Sequence, residues 1–393
     1  MQITRIELVN FRNHQHLVLD DIGKVLIIVG DNAVGKTNII EALQLLSMHE
    51  SFRQPKTEEL LFRQKNEEDP TRVVIDITTI ESANTKQLNI IQNSKTFLYN
   101  KKERPSKELI DIIPAVLFTP DDLQIVKGPP EQRRALLDSL GARLSKSFAQ
   151  IKTEYYKALR HKNSLLKQDT IDIALLDSWN INLSKLGTSL SKHRFGLFQQ
   201  LLFDAAEFYQ RISGGEILTG NYLTTWKPQE ELSDTQPNEI KIPSSLSDKE
   251  EGENALYEAL LQNREAEIAA KRSLVGPHKD DIQFFIQGHD ARRFASQGQQ
   301  RSIALSLKMA EIEILKRVSG KNPLLLLDDV MSELDSMRRR HFVDLIGEAS
   351  QTVLTTTNLG YFDEEFLSRA TVAKLSEDKE TGSAYEISLK PKA

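Results

Sequence analysis

The segment from Gly30 to Thr37 constrains what this chain can fold into more than any other feature of the sequence. Its residues, GDNAVGKT, fit the pattern GxxxxGK[ST] at every position. The run from Lys24 to Gly30 is almost continuously apolar, which predicts a strand buried on both faces. Apolar residues with helical spacing follow over 39–46 and predict a helix that starts near Gly35. A chance glycine turn before a helix would not require the buried strand, so the flanking pattern favours a phosphate-binding loop.

The chemistry of this loop predicts a bound nucleoside triphosphate. Glycines let backbone N–H groups approach phosphate oxygens, and the N-terminus of the following helix adds the positive end of its dipole. We expect Lys36 to lie along the β- and γ-phosphates and assist catalysis, and the hydroxyl of Thr37 to bind Mg²⁺. The residues predicted to bind the nucleotide are Gly30, Asp31, Asn32, Ala33, Val34, Gly35, Lys36 and Thr37.

The composition is that of an ordinary globular protein of 393 residues, enough for two to three domains. The net charge of −5 excludes a strongly basic polyanion binder but not one basic surface. The absence of cysteine excludes disulfides, thiolate zinc sites, iron–sulfur clusters and a cysteine nucleophile. Apolar runs are too short to cross a membrane, and Arg5 and Glu7 stand where a signal peptide is apolar. We therefore expect a cytoplasmic protein without a membrane partner.

Two acids at the end of another apolar run predict a second part of the nucleotide site. Leu324–Leu327 has the pattern of a buried strand and is followed directly by Asp328 and Asp329. A carboxylate at the exit of such a strand can hold Mg²⁺ beside a phosphate loop, so Asp328 is the predicted metal ligand. Asp329 is the predicted catalytic residue that polarises the attacking water. Acids at a strand end are common, and it is the pairing with the phosphate loop that favours function.

A third motif, SQGQ at residues 296–299, stands directly before a predicted long amphipathic helix. Its serine hydroxyl, free N–H groups and helix dipole are suited to an anion. An ordinary serine N-cap would explain the same residues. The position about 30 residues before the acidic strand end favours anion binding, and SELD at 332–335 then follows the acids directly.

The order of these patterns predicts an α/β fold interrupted by a helical insertion. Residues 1–128 and 271–393 are expected to form one nucleotide-binding head, and residues 129–270 a mainly helical arm. Residues 129–211 hold 13 Lys and Arg against 8 Asp and Glu, whereas an acidic, irregular segment is expected near 227–254. Other expected strands include two within residues 3–19 and the segments Val73–Ile77, Leu88–Ile91, Ala115–Phe118, Tyr222–Trp226, Ile282–Ile286 and Thr352–Thr356.

These motifs, in this order, resemble those of the ATP-binding-cassette ATPases. NFRN at residues 10–13 and the long insertion resemble the SMC-like branch of that group. Three further stretches closely resemble the RecF family of DNA-repair recombination mediators, and the resemblance runs from Met1 to about Tyr361. It is specific in the outer parts and weak between about 140 and 270. The three stretches are VLFTPDDLQIVKG at 116–128, GPHKDD at 276–281 and RFASQGQQR at 293–301.

The resemblance implies an ABC-type ATPase head with an inserted arm, and ATP with Mg²⁺ as its ligands. Two ATP-bound copies would close head to tail, so that Ser296, Gly298 and Gln299 of one copy contact the γ-phosphate held by the other. Asp335 would help to couple the two sites. Arg12 would either reach the nucleotide or stabilise a turn.

The resemblance also implies a role on DNA, in replication, repair and the SOS response. The closed dimer would bind duplex DNA and single-strand/double-strand junctions at gaps, and would help load the recombinase together with RecO and RecR. Weak, DNA-dependent ATP hydrolysis would reset the clamp. Alternatives are the SMC-like ATPase subunit of a nuclease or helicase, and the ATPase subunit of a membrane transporter. The sequence has neither a second carboxylate cluster nor a switch histidine to favour them.

Several residues depart from the cassette pattern. Asp329 stands where most such ATPases have Glu, and its shorter side chain predicts slow hydrolysis. The usual signature of these ATPases is SGGQ, and Gln297 replaces its first glycine. Residues 355–357, all threonine, occupy the region where cassette transporters have a switch histidine. SGGE at 213–216 is closer to that signature by letter, but no strong helix follows it, and we interpret it as a turn.

Three features remain open to two interpretations. Gln124 is either the glutamine that couples the head to its insertion or a surface residue. His278 is either a ligand or proton carrier, or a structural histidine. The cations of the arm are either a DNA surface or ordinary solvation, and they are Lys146, Lys152, Lys157, Arg160, Lys162 and Lys167.

Overall fold

A computed structural model describes residues 2–62, 70–78, 82–91, 94–109, 112–226, 248–348, 351–377 and 384–389. The strands are β1 (Gln2–Phe11), β2 (His14–Leu19), β3 (Val25–Val29), β4 (Thr71–Thr78), β5 (Ala83–Ile91), β6 (Ser94–Tyr99), β7 (Lys102–Glu103), β8 (Ala115–Phe118), β9 (Leu218–Leu223), β10 (Asp281–Ile286), β11 (His289–Asp290), β12 (Leu324–Leu327), β13 (Thr352–Thr356), β14 (Ala370–Glu377) and β15 (Ala384–Leu389). The α-helices are α1 (Lys36–Met48), α2 (Ser106–Leu109), α3 (Pro130–Leu144), α4 (Lys146–Leu165), α5 (Ile173–Ser213), α6 (Lys249–Gln262), α7 (Arg264–Ala270), α8 (Ala291–Phe294), α9 (Gln297–Ser319), α10 (Ser336–Glu348) and α11 (Glu364–Ser368). Residues 227–247 of the expected acidic segment lie outside the described residues.

The chain divides into two compact units, one formed by Met1–Asp122 with Ile312–Ala393 and the other by Leu123–Glu311. The second unit reaches 41 residues further along the chain than the arm expected to end at 270. Strand pairing accounts for the first part of this extension, because β10 is antiparallel to β9 along its whole length, from Asp281↔Leu223 to Ile286↔Leu218. This register also places β9 earlier than the strand expected at Tyr222–Trp226.

A six-stranded sheet of order β15-β14-β3-β13-β12-β8 forms the centre of the first unit. Its strands are parallel except for β15, and the apolar runs of β3 and β12 are buried, as their composition predicts. Thr356 pairs with Val29, and Leu327 pairs with both Leu354 and Phe118. The carboxyl ends of β3, β12 and β13 therefore meet at one edge, where ligands bind in parallel α/β sheets.

A second, antiparallel sheet of order β2-β1-β4-β5-β6-β7 completes this unit. Helix α1 contacts strands of both sheets, and one apolar cluster joins Leu8 of β1, Ile28 of β3, Leu43 of α1 and Leu88 of β5. The helix that follows the phosphate loop is thus the centre of the hydrophobic core, which fixes the position of the loop.

The second unit consists mainly of helices, as the sequence predicts for the insertion. Helix α5 is 41 residues long and packs against α3, α4 and α6, and a small sheet of order β11-β10-β9 covers part of it. Buried ion pairs tie these helices together, including Arg194 of α5 with Asp138 of α3 and Lys162 of α4 with Glu267 of α7.

Candidate nucleotide-binding site and signature segment

The loop between β3 and α1 has a backbone that only particular residues can adopt. Gly35 has φ +101°, a left-handed conformation that residues with a Cβ atom rarely adopt. A Cβ atom at this position would also overlap the side chain of Asn13. No side chain in the described part of the chain caps the start of α1. The first N–H groups of the helix therefore remain suited to an anion, as the sequence predicts.

Lys36 is the first residue of α1, and its amino group lies against the loop. Nζ donates hydrogen bonds to the carbonyl oxygens of Gly30 and Asp31, each at 2.7 Å. Burial lowers the pKa of Lys36, whereas the negative charges of Asp329, Asp328 and Asp31 oppose this shift. The ammonium group is thus held against the loop, where the negative charges of three acids act on it.

The predicted metal ligands are brought together as the sequence predicts. Oδ1 of Asp328 accepts hydrogen bonds from the hydroxyls of Thr37, at 2.9 Å, and Thr355, at 2.8 Å. Asp328 and Thr37 are 291 residues apart in the sequence, and the parallel pairing of β3, β13 and β12 brings them together.

The donor set at this position fits Mg²⁺. Hydroxyl and carboxylate oxygens are hard ligands, and Mg²⁺ takes one or two of them together with phosphates and waters. Within the described residues, no group of three or more His, Cys, Asp or Glu side chains forms an all-protein metal cage. Thr37 and Asp328 would therefore hold the ion only in combination with the phosphates of a nucleotide.

Thr355 links the two acids, a role that sequence analysis missed. Its Oγ1 donates to Asp328 and accepts the backbone N–H of Asp329, at 2.9 Å. Asp329 has a left-handed backbone with φ +48°, and its carbonyl oxygen accepts the hydroxyl of Ser332. Nothing in a run of threonines indicates which hydroxyl is buried against an acid, so the sequence alone does not predict this role.

The NFRN turn and the adjacent His14 contact the backbone of the phosphate loop. The side-chain amide of Asn13 donates to the carbonyl oxygen of Val34 at 3.1 Å, and Nε2 of His14 lies 3.1 Å from the carbonyl oxygen of Gly35. His14 is fully buried, and burial lowers its pKa to about 4. Arg12 forms two hydrogen bonds to the carboxylate of Glu41 in α1, at 2.7 and 3.0 Å. These are the contacts of an arginine that stabilises a turn and the adjoining helix.

The signature segment, which we define as residues 296–301, lies at the start of the 23-residue helix α9. Oγ of Ser296 accepts the backbone N–H of Gln299 at 3.2 Å, and the side-chain Oε1 of Gln299 accepts the N–H of Ser296 at 2.9 Å. This reciprocal pair is a capping box. Ser296 and Gln297 are exposed, and Gly298 is half-buried, so this helix start is accessible.

The SGGE sequence at 213–216 ends helix α5 and does not begin a helix. Gly214 and Gly215 have left-handed backbones, and β9 follows them. The side chain of Glu216 nevertheless contacts the signature segment, because its Oε1 accepts the side-chain amide of Gln299 at 2.8 Å. The similarity by letter is therefore coincidental, yet the turn touches the segment that it resembles.

Asp335 caps helix α10. Its Oδ1 accepts the N–H groups of Met337 and Arg338, and its Oδ2 accepts the Arg338 side chain at 2.6 Å. The backbone N–H of Arg338, followed by the charge of its side chain, lowers the pKa of Asp335. The guanidinium of Arg339 donates to the carbonyl oxygens of Leu334 and Met331 and thereby braces the loop before Asp335.

Three open features of the sequence have defined surroundings. Gln124 is exposed within the 3₁₀ helix Pro120–Ile125. Nδ1 of His278 lies 2.8 Å from the hydroxyl of Tyr155, and burial lowers the pKa of His278 to about 4, which are features of a structural histidine. The cations of the arm separate into two sets. Lys146, Lys157, Arg160 and Lys167 are exposed, whereas Lys152 and Lys162 pair with Asp138 and Glu267.

Comparison with known proteins identifies relatives along nearly the whole chain. A family model described as the RecF/RecN/SMC N terminal domain matches residues 2–378. The chain is 32% identical over 395 residues to the DNA replication and repair protein RecF of Synechococcus sp. (strain JA-3-3Ab), covering 99% of this chain and 100% of that protein. It is 34% identical to the protein of the same name from Bacillus cytotoxicus, covering 94% of this chain and 95% of that one.

Solved structures agree with the fold derived above. The structure of the recombination mediator protein RecF-ATP in the RecFOR pathway has a TM-score of 0.78 and 28% identity, covering 98% of this chain and 97% of that chain. An SMC head bound to the C-winged helix domain of ScpA has a TM-score of 0.58 at 16% identity, over 99% and 98% of the two chains, and shares the fold.

The fold is an α/β ABC-type ATPase head with a helical insertion, as the sequence predicts. None of the helices in the described part of the chain is both long enough and apolar enough to cross a membrane. With a family model that matches residues 2–378 and relatives that align over almost its full length, this chain belongs to the RecF family of the RecF/RecN/SMC proteins.

Proposed function

We propose that this chain is an ATP-dependent recombination mediator in DNA repair. It binds ATP with Mg²⁺, dimerises on ATP, binds DNA at single-strand/double-strand junctions and helps load the recombinase. The observation that carries the proposal is the network on Oδ1 of Asp328, because it places the acid of β12 beside the phosphate loop. The names of the relatives, and the solved structure whose name includes ATP and the RecFOR pathway, support it.

The residues of the first unit hold the nucleotide in this proposal. Lys36 exchanges the carbonyl oxygens of Gly30 and Asp31 for oxygens of the β- and γ-phosphates, a favourable exchange because phosphate carries full negative charge. Thr37 and Asp328 hold Mg²⁺, which, when bound, neutralises charge on the phosphates. Asp329 orients the attacking water. The remaining nucleotide contacts are backbone N–H groups of residues 30–37.

The second unit supplies the signature segment in trans. Ser296 and the N–H of Gly298 contact the γ-phosphate bound to a second copy, because this helix start is exposed and has the positive end of a helix dipole. Asp335 couples the two sites through the cap of α10. ATP thereby stabilises the dimer, and the dimer presents the DNA surface, which is a linkage between two ligands.

Hydrolysis in this proposal is slow and serves to open the dimer. Asp329 is one methylene shorter than the glutamate that is usual at this position, so its carboxylate lies further from the attacking water. RecO and RecR are the expected partner proteins, the cytoplasm is the expected compartment, and DNA replication and the SOS response are the expected settings. These come from the family resemblance.

Oligomeric mass measured by light scattering, with and without ATP and Mg²⁺, tests the proposal. We expect a dimer only with ATP, and no dimer for Lys36→Met, which cannot hold the phosphates. Ser296→Arg should bind ATP as tightly as the wild type and stay monomeric, because only the trans contact is changed. A wild-type chain that stays monomeric with saturating ATP would contradict the proposal.

DNA binding by the arm is tested separately through the exposed cations of α4. Lys157 and Arg160 are one turn apart and exposed, so the double variant Lys157→Glu/Arg160→Glu should weaken binding of a gapped duplex by the ATP-bound dimer. The slope of log affinity against log salt should fall by about 1 to 2, as expected for one or two lost phosphate contacts. Lys185→Glu, an exposed position on α5, is the matched control. If the double variant and the wild type have equal salt slopes, this face of the arm does not contact the DNA phosphates.

A further inference from the structure

We propose that Glu216 is a positioning residue that holds the signature segment from the end of helix α5. The inference rests on the proposed function, in which this segment engages a second, ATP-bound copy. It assigns a role to the SGGE turn at 213–216, which sequence analysis interpreted as a turn without a site.

The end of α5 fixes the backbone of Glu216. Gly214 and Gly215 have φ of +77° and +118°, and their N–H groups both bond to the carbonyl oxygen of Gln210. The backbone N–H of Glu216 donates to the hydroxyl of Ser213 at 3.1 Å. Three backbone N–H groups of the turn thus have hydrogen-bond partners where the chain leaves the helix, and Glu216 is the last residue of that turn.

The carboxylate of Glu216 joins two elements. Its Oε2 accepts the hydroxyl of Tyr209, a fully buried residue of α5, at 2.6 Å, and its Oε1 accepts Nε2 of Gln299 at 2.8 Å. One oxygen is thus anchored to the arm helix, and the other holds the signature segment. Because each carboxylate oxygen accepts a hydrogen bond, the orientation of the Glu216 carboxylate is defined, unlike that of an acid whose oxygens contact only solvent.

This contact determines which way the amide of Gln299 points. Carboxylate oxygens accept hydrogen bonds, so Glu216 must face the NH₂ group of Gln299. The carbonyl oxygen of that amide then accepts the N–H of Ser296, as the 2.9 Å distance indicates. Glu216 therefore completes the capping box of α9 and holds Ser296 at the helix start. Gln299 contributes by shaping the segment, while Ser296 and Gly298 make the contact with the γ-phosphate.

The experiment uses exchange of hydrogen-bond partners in the full-length chain. Glu216→Ala removes the acceptor, and Gln299→Glu places two carboxylates against each other. We expect each to raise the protein concentration at half-maximal ATP-dependent dimerisation by about tenfold, the effect of losing one hydrogen bond to a charged group. The affinity of a single copy for ATP should stay within about twofold, because the phosphate loop is unchanged.

The double variant Glu216→Gln/Gln299→Glu separates positioning from loss of folding. In this variant an amide on the turn can donate its NH₂ group to a carboxylate on the signature segment, whose second oxygen still accepts the N–H of Ser296. We expect dimerisation to recover to within about threefold of the wild type. Failure to recover would mean that Gln299 itself contacts the nucleotide, and the proposal would be wrong. Tyr209→Phe is a milder variant that removes only the anchor, and Glu207→Ala changes an exposed acid on the same helix as a control.

Hydrogen exchange of the backbone in 296–301 provides a readout on the monomer without nucleotide. Exchange should be faster in Glu216→Ala, normal in the control, and restored in the double variant. Unchanged exchange in Glu216→Ala would overturn the inference whether or not the wild type dimerises. A wild type that fails to dimerise, combined with the expected exchange pattern, would instead contradict the proposed function and leave the role of Glu216 supported.

Discussion

At the scale of single residues, Gly35 is a position where both the backbone conformation and the packing disfavour any residue other than glycine. Its left-handed φ of +101° excludes most side chains, and the side chain of Asn13 occupies the space that a Cβ atom would need. Because Gly35 immediately precedes Lys36 and the first turn of α1, we expect a change here to move the groups that are proposed to bind the phosphates.

Gly35→Ala should lower affinity for ATP by at least about tenfold and destabilise the chain by about 1 to 3 kcal/mol, the usual range for backbone strain. Titration with a fluorescent ATP analogue and thermal unfolding measure the two effects. Gly196→Ala is the control, since nothing lies within 4 Å of a Cβ atom there and Gly196 is inside α5. Alanine at that position should leave ATP binding unchanged and stabilise the helix slightly.

Thr355 gives a second prediction at this scale. Thr355→Val keeps the shape but removes the hydroxyl, which leaves the N–H of the half-buried Asp329 without that acceptor at a cost of about 0.5 to 1.5 kcal/mol. We expect ATP hydrolysis to fall about tenfold or more, because both acids lose their common support, while Thr355→Ser retains most of the rate. Equal hydrolysis rates of the valine variant and the wild type would show that the hydroxyl does not position the acids.

The sequence pattern located the residues of the candidate site that belong to continuous motifs and missed those that support them. Spacing and flanking apolar runs are visible along the chain, and they predict the roles of the loop of 30–37, Asp328, the serine of the signature segment and Asp335, which stay predictions. Thr355, His14 and Glu216 were not found, since a buried hydrogen bond between distant segments leaves no local signal. Arg12 was left open and pairs with Glu41.

At the scale of elements, a buried ion pair between helices stabilises the arm. The guanidinium of Arg194 in α5 is fully buried and bonds to both oxygens of Asp138 in α3, at 2.7 and 2.9 Å, and to the carbonyl oxygen of Pro277 at 2.7 Å. The folded arm therefore depends on the negative charge of Asp138, because Arg194 without this partner would be an unpaired buried cation, which is strongly unfavourable.

Asp138→Ala should lower the free energy of unfolding by about 3 to 5 kcal/mol, the usual effect of removing one partner from a buried pair. Denaturant titration followed by circular dichroism measures it. Asp177→Ala is the matched control, because its pair with Arg264 is about one-third exposed and should contribute less than about 1 kcal/mol. A loss of similar size in both variants would contradict the importance of burial at Asp138.

Three short strands of the parallel sheet were predicted closely, whereas the boundaries of β9 were not. Leu324–Leu327, Ala115–Phe118 and Thr352–Thr356 are confirmed to the residue. The strand expected at Tyr222–Trp226 is instead β9, because antiparallel pairing with β10 selects Leu218–Leu223. A single alternating segment does not specify which of its residues meet a partner from elsewhere in the chain.

At the scale of the whole molecule, we expect two histidines, the buried His14 and the half-buried His278, to make stability depend on pH. Burial lowers the pKa of both His14 and His278 to about 4, from an ordinary value of 6.5. Between these two values the unfolded chain takes up protons that the folded chain does not, so the free energy of unfolding falls as pH decreases. The full loss, reached below pH 4, is about 3 kcal/mol at most for each histidine.

Denaturant unfolding at several pH values between 7 and 4.5 measures this dependence. His14→Phe and His278→Phe should each reduce the slope relative to the wild type, even where the absolute stability changes. A variant whose curve runs parallel to that of the wild type would show that the replaced histidine does not contribute.

The sequence by itself determined the α/β fold, the family and the chemistry of the phosphate loop. Motifs and apolar periodicity are local properties, so they can be recognised in the sequence alone. Only the tertiary structure decided that Thr355 joins the two acids and that Glu216 of the SGGE turn contacts the signature segment. It also decided that Lys152 and Lys162 are used in ion pairs of the arm. The reason is that the partners in these contacts are separated by 14 to 105 residues, and their geometry depends on how sheets and helices pack rather than on residue order.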